Sequence, residues 1–261
     1  MKILIEQKYF SKLMRAVVEF DLISDGDRIL IGLSGGKDSL FLTYALAVLK
    51  ERFRKKFTLY ALTIDPMFTA DLNDNLQRVK KFCADLDIPY EVHAVDIDAA
   101  IAGQNGKKAC FTCAFLRRGA MNRFAVEHNC NKIAYAHHLD DAVETFLMGM
   151  LYSGQVSTFT PKTFLSRTNL HVIRPLVYFR ESEIVDAVKN LNLEPVKSPC
   201  PRDGKTVRQD VKNLIADFEK NIPDVFYHLS SAIRKNAIGD LWTRSLTRDE
   251  MRQTYFEKMR D

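Results

Sequence analysis

The chain's 261 residues predict an α/β fold: a doubly wound, mostly parallel sheet of about five strands with a helical C-terminal extension. Three observations carry that reading. Short apolar runs alternate with stretches of helical spacing. A glycine-rich turn inside "RILIGLSGGKDSL", residues Arg28 to Leu40, joins the first apolar run to a long helical pattern. Beyond Thr206 the pattern is helical and rich in charge.

In chain order, residues 1–24 read as a helical segment, with lysine and glutamate spread at helical spacing. That segment lacks the continuous apolar core and small-residue cleavage site of a signal peptide. Strand-like runs follow at Arg28 to Leu33, Phe57 to Ile64, Tyr90 to Val95 and Lys132 to Ala136. Helical stretches lie at Ser39 to Arg54, Asp71 to Asp87, Ala114 to His128 and Asp140 to Tyr152. The segment 97–113, with Gly103, Gly106 and two lysines, breaks the pattern and reads as a functional loop. "LHVIRPLVYF" is a fifth apolar run, and the helix-like "ESEIVDAVKNLNL" follows it. The expected organisation is a main domain over 25–200, preceded by the helical segment 1–24 and followed by a helical extension over 201–261.

Composition excludes several classes. At 46% hydrophobic and 27% charged residues the chain is neither disordered nor membrane-spanning, since no run approaches the roughly 18 apolar residues of a membrane helix. A cytoplasmic location with no membrane partner is the expectation. Five cysteines, an odd number, favour metal binding or thiol chemistry over crosslinks. The net charge of +5 is mild, but basic groups gather in "KERFRKKF" (50–57), at Arg117-Arg118 and along the last thirty residues. Such patches suit a polyanion, or are solvated helix ends.

The opening turn is built to hold an anion. In a doubly wound sheet the first strand-to-helix turn lies at the carboxyl edge, where ligands bind. Backbone N–H groups of the turn converge into a nest, and the helix amino end adds positive dipole. Lys37 supplies a mobile charge, and Ser34 and Ser39 supply hydroxyls. The ordinary nucleotide P-loop, G-x-x-x-x-G-K-[ST], does not fit, because Asp38 follows Lys37 and the glycines stand too close.

Two further clusters carry chemistry. "KKACFTCAFLRRG" holds Cys110 and Cys113, a pair that could share a metal or form a redox couple. Cys200 sits between prolines in "KSPCPRDG". Three thiolates satisfy only part of a tetrahedral zinc or a cubane iron–sulfur cluster, leaving one iron open in the latter. Cys83, on an apolar helix face, and Cys130 read as structural. "AHHLDD" closes the fourth strand: Asp140 and Asp141 could cap the next helix, bind magnesium or act in catalysis. The adjacent His137 and His138 point to opposite sides, which favours substrate or structural contacts over zinc.

"SGGKDS" resembles the pyrophosphate-binding PP-loop of the N-type ATP pyrophosphatases, a Rossmann-like fold. The series "SGGKDS", "CFTCAFLRRG", "AHHLDDAVETFLMGMLYSG", "VIRPLVYFRESEI" and "PC" resembles the tRNA 2-thiocytidine synthetase family, over about Leu22 to Asn236. The resemblance implies cleavage of ATP to AMP and pyrophosphate, with Mg2+. It implies that Leu33, Ser34, Gly35, Gly36, Lys37, Asp38, Ser39, Ile64, Ala136 and Asp141 bind ATP. It implies a [4Fe-4S] cluster on Cys110, Cys113 and Cys200, with Asp141, Arg117, Asp38 and Lys37 in catalysis. Arg117 falls one helical turn after Cys113, where it would stabilise the adenylated oxygen or else face solvent. Arg118, His137, His138 and Arg174 are the expected substrate contacts. The implied substrate is a cytidine of the tRNA anticodon loop, whose C2 oxygen is adenylated and replaced by sulfur. The sulfur would come from a cysteine desulfurase or free sulfide, and the enzyme could be a homodimer.

Two departures stand out. Ala136 replaces the family's glycine before the histidines, and a second C-x-x-C of the better known members is reduced to Cys200-Pro201-Arg202-Asp203. Only the first cysteine of that second pair matches a cluster ligand. Rival readings are thiolation of another tRNA base such as 2-thiouridine synthesis, action on a small molecule, and lysine addition to cytidine, which needs no cysteine triad. A zinc-stabilised RNA-binding module would leave the PP-loop without purpose, and a kinase would release ADP instead.

Overall fold

The computed structural model describes residues 4–68, 73–104, 106–197, 200–201, 204, 206–234, 247–250 and 252–253. A helix α1 (Gln7–Glu19) leads into strand β1 (Arg28–Gly32), helix α2 (Lys37–Arg52), strand β2 (Thr58–Asp65) and helix α3 (Asn73–Asp85). Strand β3 (Tyr90–Ala94), helices α4 (Ile97–Ile101) and α5 (Gly106–Glu127), strand β4 (Lys132–Ala134) and helix α6 (Leu139–Ser153) follow. The described chain continues through strands β5 (Lys162–Leu165) and β6 (Leu170–Ile173) and helices α7 (Glu181–Asn190), α8 (Val207–Asn221) and α9 (Val225–Arg234).

The six strands run in the order β3-β2-β1-β4-β6-β5, and β5 alone pairs antiparallel, with β6. The order reverses at β1, which lies between β2 and β4, so a crevice opens at their carboxyl ends. The expected count was about five strands. The additional one is β5, whose four residues "KTFL" are too few to show a period of two.

Apolar side chains cover both faces. One core packs Tyr9 and Leu13 of α1, Phe41 of α2 and Phe179 against the sheet. Helix α2 is buried without a break from Ser39 to Leu49, so it is a central helix and not an amphipathic surface one. Phe41 is fully buried with its ring 5.4 Å from that of Phe179, and truncating it to alanine costs roughly 3–5 kcal/mol. The other face is covered by Ala120, Met121, Phe124 and Ala125 of α5. A third cluster, Val143 and Leu147 of α6 with Val211, Ile215 and Phe226, docks α8 and α9 beside the crevice.

The segment 97–113 is corrected: it is not a loop but α4, a break at Gly103 with φ +74°, and the start of α5. Alanine, lysine and the cysteines tolerate a helix, and the left-handed Gly103 lies in the break between the two. Cys110 and Cys113 therefore stand on consecutive turns inside a helix. The basic run 50–57 lies at the far end of α2, about 24 Å of helix away from the glycine-rich turn. The basic tail falls mostly outside the described residues. Among the described residues no helix is long and apolar enough to cross a membrane.

Candidate active site

The crevice at the carboxyl ends of β1 and β4 opens into a cavity of about 610 Å³. Its wall takes in Leu33, Ser34, Gly36, Asp38, Ser39, Ile64, Arg117, Arg118, Ala136, His137, Asp141 and Arg174, all singled out by sequence. Gly35, Lys37 and His138 are not among the lining residues, and the cysteines lie elsewhere.

The turn after β1 is held from beneath. Leu33 N–H donates to Leu62 O at 2.9 Å, Thr63 Oγ1 donates to Leu33 O, and Tyr90 Oη donates to Thr63 Oγ1 at 2.9 Å. Gly35 takes φ +81°, and a Cβ there would stand 3.2 Å from Val196 Cβ. Within the turn, Ser39 Oγ donates to Gly36 O at 2.9 Å and lies 3.2 Å from Ser34 Oγ. No side chain caps α2 at Gly36, so the first-turn N–H groups are left for an anion.

Charge around the turn is organised by α6, α7 and α8. Lys37 Nζ sits 3.0 Å from Asp38 Oδ2 and 2.9 Å from Glu181 Oε1. Burial disfavours the charged Lys37, but its two carboxylate partners raise its pKa above the ordinary value. Burial alone would raise Glu181, yet hydrogen bonds from Lys212 and Lys37 hold it at about 2. His138 is buried and caps α6: its N–H donates to Asp141 Oδ2 at 3.0 Å, and Asp141 N–H reaches His138 Nδ1 at 3.4 Å. Asp140 turns to α7, accepting from Arg180 Nε at 3.0 Å and Glu181 N–H at 2.8 Å.

Asp141 faces the cavity, where its Oδ1 accepts from Arg208 Nη1 at 3.0 Å. The same nitrogen donates to Glu144 Oε2 at 2.9 Å, and Arg208 Nη2 reaches Thr145 Oγ1 at 3.3 Å. Glu144 is buried, which raises its pKa against the opposing pull of Arg208. Arg208, Glu144, Glu181 and Lys212 were not found by sequence reasoning. Glu144 and Thr145 lay within the quoted helix pattern, but no local signal links α8 to it.

The opposite wall holds Tyr135, His137, Phe159 and Arg174. A Cβ on Gly32 would fall 2.9 Å from Tyr135 Cε1, so glycine lets the ring lie against the strand. Arg174 Nη1 donates to Thr160 O at 2.7 Å and to Thr163 Oγ1 at 3.1 Å, with the guanidinium 5.0 Å over Phe159. Tyr135 Oη, His137 Nδ1 and Arg174 Nε are buried without hydrogen-bond partners among the described residues. Burial pushes Tyr135 up to about 12 and His137 down to about 4, so both are neutral near pH 7.

A second cavity of about 210 Å³ adjoins the first, sharing Ser34, Gly36, Ile64 and Arg117, and Cys200 lines it. Cys110 is exposed; Cys113 and Cys200 are half-buried. Burial raises the Cys113 thiol above its ordinary value and Arg117 opposes that, while Cys200 and Cys110 stand near enough to add to the rise. Among the described residues no three ligating side chains close to the spacing of a single metal ion. A multinuclear cluster holds its thiolates farther apart than one zinc does, and this donor set of three soft thiols fits it. Cys83 and Cys130 are buried apart from these three; burial alone pushes Cys83 up to about 12.

Comparison with known proteins agrees with this geometry. Residues 5–218 match the family described as PP-loop domain. The tRNA-cytidine(32) 2-sulfurtransferase of Geobacter metallireducens is 33% identical over 94% of this chain and 97% of its own length. That of Geobacter sulfurreducens is 35% identical over 84% of this chain and 86% of its own. Among solved structures, the U34-tRNA thiolase NcsA from Methanococcus maripaludis with its [4Fe-4S] cluster superposes at TM-score 0.71 and 26% identity, covering 87% of this chain and 77% of that one. The NH3-dependent NAD synthetase of Campylobacter jejuni, at TM-score 0.51 and 20% identity, covers 94% of this chain and 100% of its own and shares the fold. With its turn, its cysteine spacing and its relatives in agreement, the chain belongs to the PP-loop domain family, among the tRNA 2-thiocytidine synthetases.

Proposed function

We propose that the chain is an ATP-dependent, [4Fe-4S]-dependent tRNA sulfurtransferase that converts an anticodon-loop cytidine to 2-thiocytidine. One observation carries the reading: a single cavity joins the uncapped amino end of α2 to Arg117, one turn from Cys113, and Cys200 lines the cavity next to it. The named activity of the relatives supports the cytidine substrate.

In this reading the C2 oxygen of cytidine attacks the α-phosphorus of ATP, and pyrophosphate leaves. A sulfur nucleophile then adds at C2 and AMP departs with the oxygen. Ser34 to Ser39 grip the β- and γ-phosphates through the first-turn N–H groups, with Lys37 held charged between Asp38 and Glu181. Asp38 and Asp141, both on the cavity wall, are the carboxylates placed to hold Mg2+. Ile64 and Ala136 flank the nucleotide. Arg117 neutralises the oxyanion that develops on the adenylated base. Arg118, His137 and Arg174 contact the substrate, Tyr135 beside them, and the buried atoms without partners there await a polar edge. His138 positions Asp141 by capping α6.

Cys110, Cys113 and Cys200 hold the cluster, which when bound supplies an iron free of protein ligand for the sulfur. Free sulfide or a cysteine desulfurase delivers that sulfur in the cytoplasm. Residues 25–200 form the catalytic domain between the segment 1–24 and the extension 201–261, whose Arg208 reaches back into the site.

Iron and acid-labile sulfide, measured per chain after anaerobic purification with zinc in parallel, test the cofactor. About four of each are expected. Zinc without iron would leave the cysteines structural and bring lysine addition forward. The 26% identity to a U34 thiolase makes 2-thiouridine the second reading, which nucleoside analysis separates.

A further inference from the structure

Helix α5 turns one face to the cavity and another to solvent. Ala114, Arg117, Arg118 and Met121 line the cavity. About a quarter-turn away around the helix, Phe111 and Phe115 are 67% and 62% exposed, with Val126 farther along at 50%. Residues four apart lie one above the other, so the two phenylalanines form a continuous aromatic strip. Large aromatics left that bare on a helix whose later turns, Ala120 to Ala125, pack into the core mark a contact surface.

The charge on this helix selects the partner. From Gly106 to Val126 its sequence contains no carboxylate, while Lys108, Arg117, Arg118 and Arg123 are all cationic. None of the four forms an ion pair among the described residues, although eleven other lysines and arginines do join such pairs: Lys12, Lys37 and Arg208 are examples. Helical spacing places Arg118 on one flank of the strip and Lys108 and Arg123 on the other. Aromatic rings between unpaired cations suit a single-stranded nucleic acid, with bases stacked on rings and phosphates between the charges. A second copy would bring two sets of like charges together across a shared axis, which opposes self-pairing.

We infer that the outward face of α5, built on Phe111 and Phe115, is a stacking surface for unstacked nucleotides of the RNA loop that carries the target base. The inference rests on the tRNA reading above. It also explains geometry: Arg118 borders both strip and cavity, so a loop laid on the rings could turn its next base into the site.

The test uses full-length holoenzyme prepared anaerobically and an unmodified anticodon stem-loop transcript. Binding is measured for the wild type, Phe111→Leu, Phe115→Leu and Phe111→Trp. Each leucine, apolar but unable to stack, should weaken RNA binding by about 5- to 100-fold, and tryptophan should retain it. Arg123→Gln should lower the salt dependence by about one phosphate contact. RNA affinity unchanged in both leucine variants would overturn the inference. So would a leucine-dependent drop in sedimentation mass without RNA, which would make the strip an interface between copies. The reaction fails separately from the surface. If leucine weakens RNA binding while wild type forms no 2-thiocytidine, the reaction is wrong and the surface stands. If the leucine variants form 2-thiocytidine at an unaltered KM for RNA, the surface is wrong and the reaction stands.

Discussion

Val196 donates its backbone N–H to the carbonyl of Gly35 at 2.9 Å, which ties the segment leading to Cys200 onto the glycine-rich turn. Val196 and Cys200 line the same cavity, so the third cysteine borders a space that the turn also borders, although 165 residues separate it from Gly35 (200 − 35). Gly35→Ala tests the link. Its positive φ costs an L-residue roughly 1–2 kcal/mol, and the new Cβ would press on Val196 Cβ at 3.2 Å. Lower thermal stability and loss of ATP binding, read by calorimetry and titration, are expected together. Unchanged ATP affinity would show that the turn tolerates the strain.

Arg208 supplies the charge that lets Asp141 and Glu144 stand side by side. Arg208→Gln should lower stability by about 1–2 kcal/mol, a modest value because the arginine remains partly exposed. Adding Glu144→Gln should recover part of that stability, because the buried carboxylate is then neutral. It should not recover AMP formation, since Asp141 still lacks its partner. Denaturant melts of the four combinations decide this.

His137 should remain neutral between about pH 5.5 and 8, because burial holds its pKa at about 4 against an ordinary 6.5. Between those two values the unfolded chain binds the proton that the folded chain refuses, so this histidine's contribution to stability falls as pH drops from 6.5 toward 4. Its imidazole NMR shifts should not titrate near 6.5, whereas a midpoint there would contradict the buried environment.

Alanine at Cys110, Cys113 or Cys200 should each remove the iron, because each is one of only three thiolate ligands in the account. Alanine at Cys83, a buried thiol pushed up to about 12, should leave iron in place. Asp38→Ala should keep iron and lose AMP formation. Iron retained in any of the three ligand variants would remove that cysteine from the set.

Much of this was legible because it is local. The four parallel strands at the centre are apolar runs, and the anion-binding turn is a compact motif whose glycines and serines sit side by side. Strand β5 was not, since four residues carry too little pattern. The start of α5 was hidden because two glycines read as a loop, although of the described residues there only Gly103 takes positive φ. Arg208 was invisible for another reason: its partner Asp141 is 67 residues away, and a lone arginine on a charged helix has no signature. The Lys37–Glu181 pair is equally non-local. Long-range charge pairing depends on how α7 and α8 dock, and periodicity does not encode docking.

The most direct measurement of the central claim is mass spectrometry of nucleosides from unmodified tRNA incubated anaerobically with the iron-loaded protein, ATP, Mg2+ and sulfide. The account predicts 2-thiocytidine, dependent on ATP and accompanied by AMP in equal amount. Cytidine left unchanged while 2-thiouridine accumulates would contradict it.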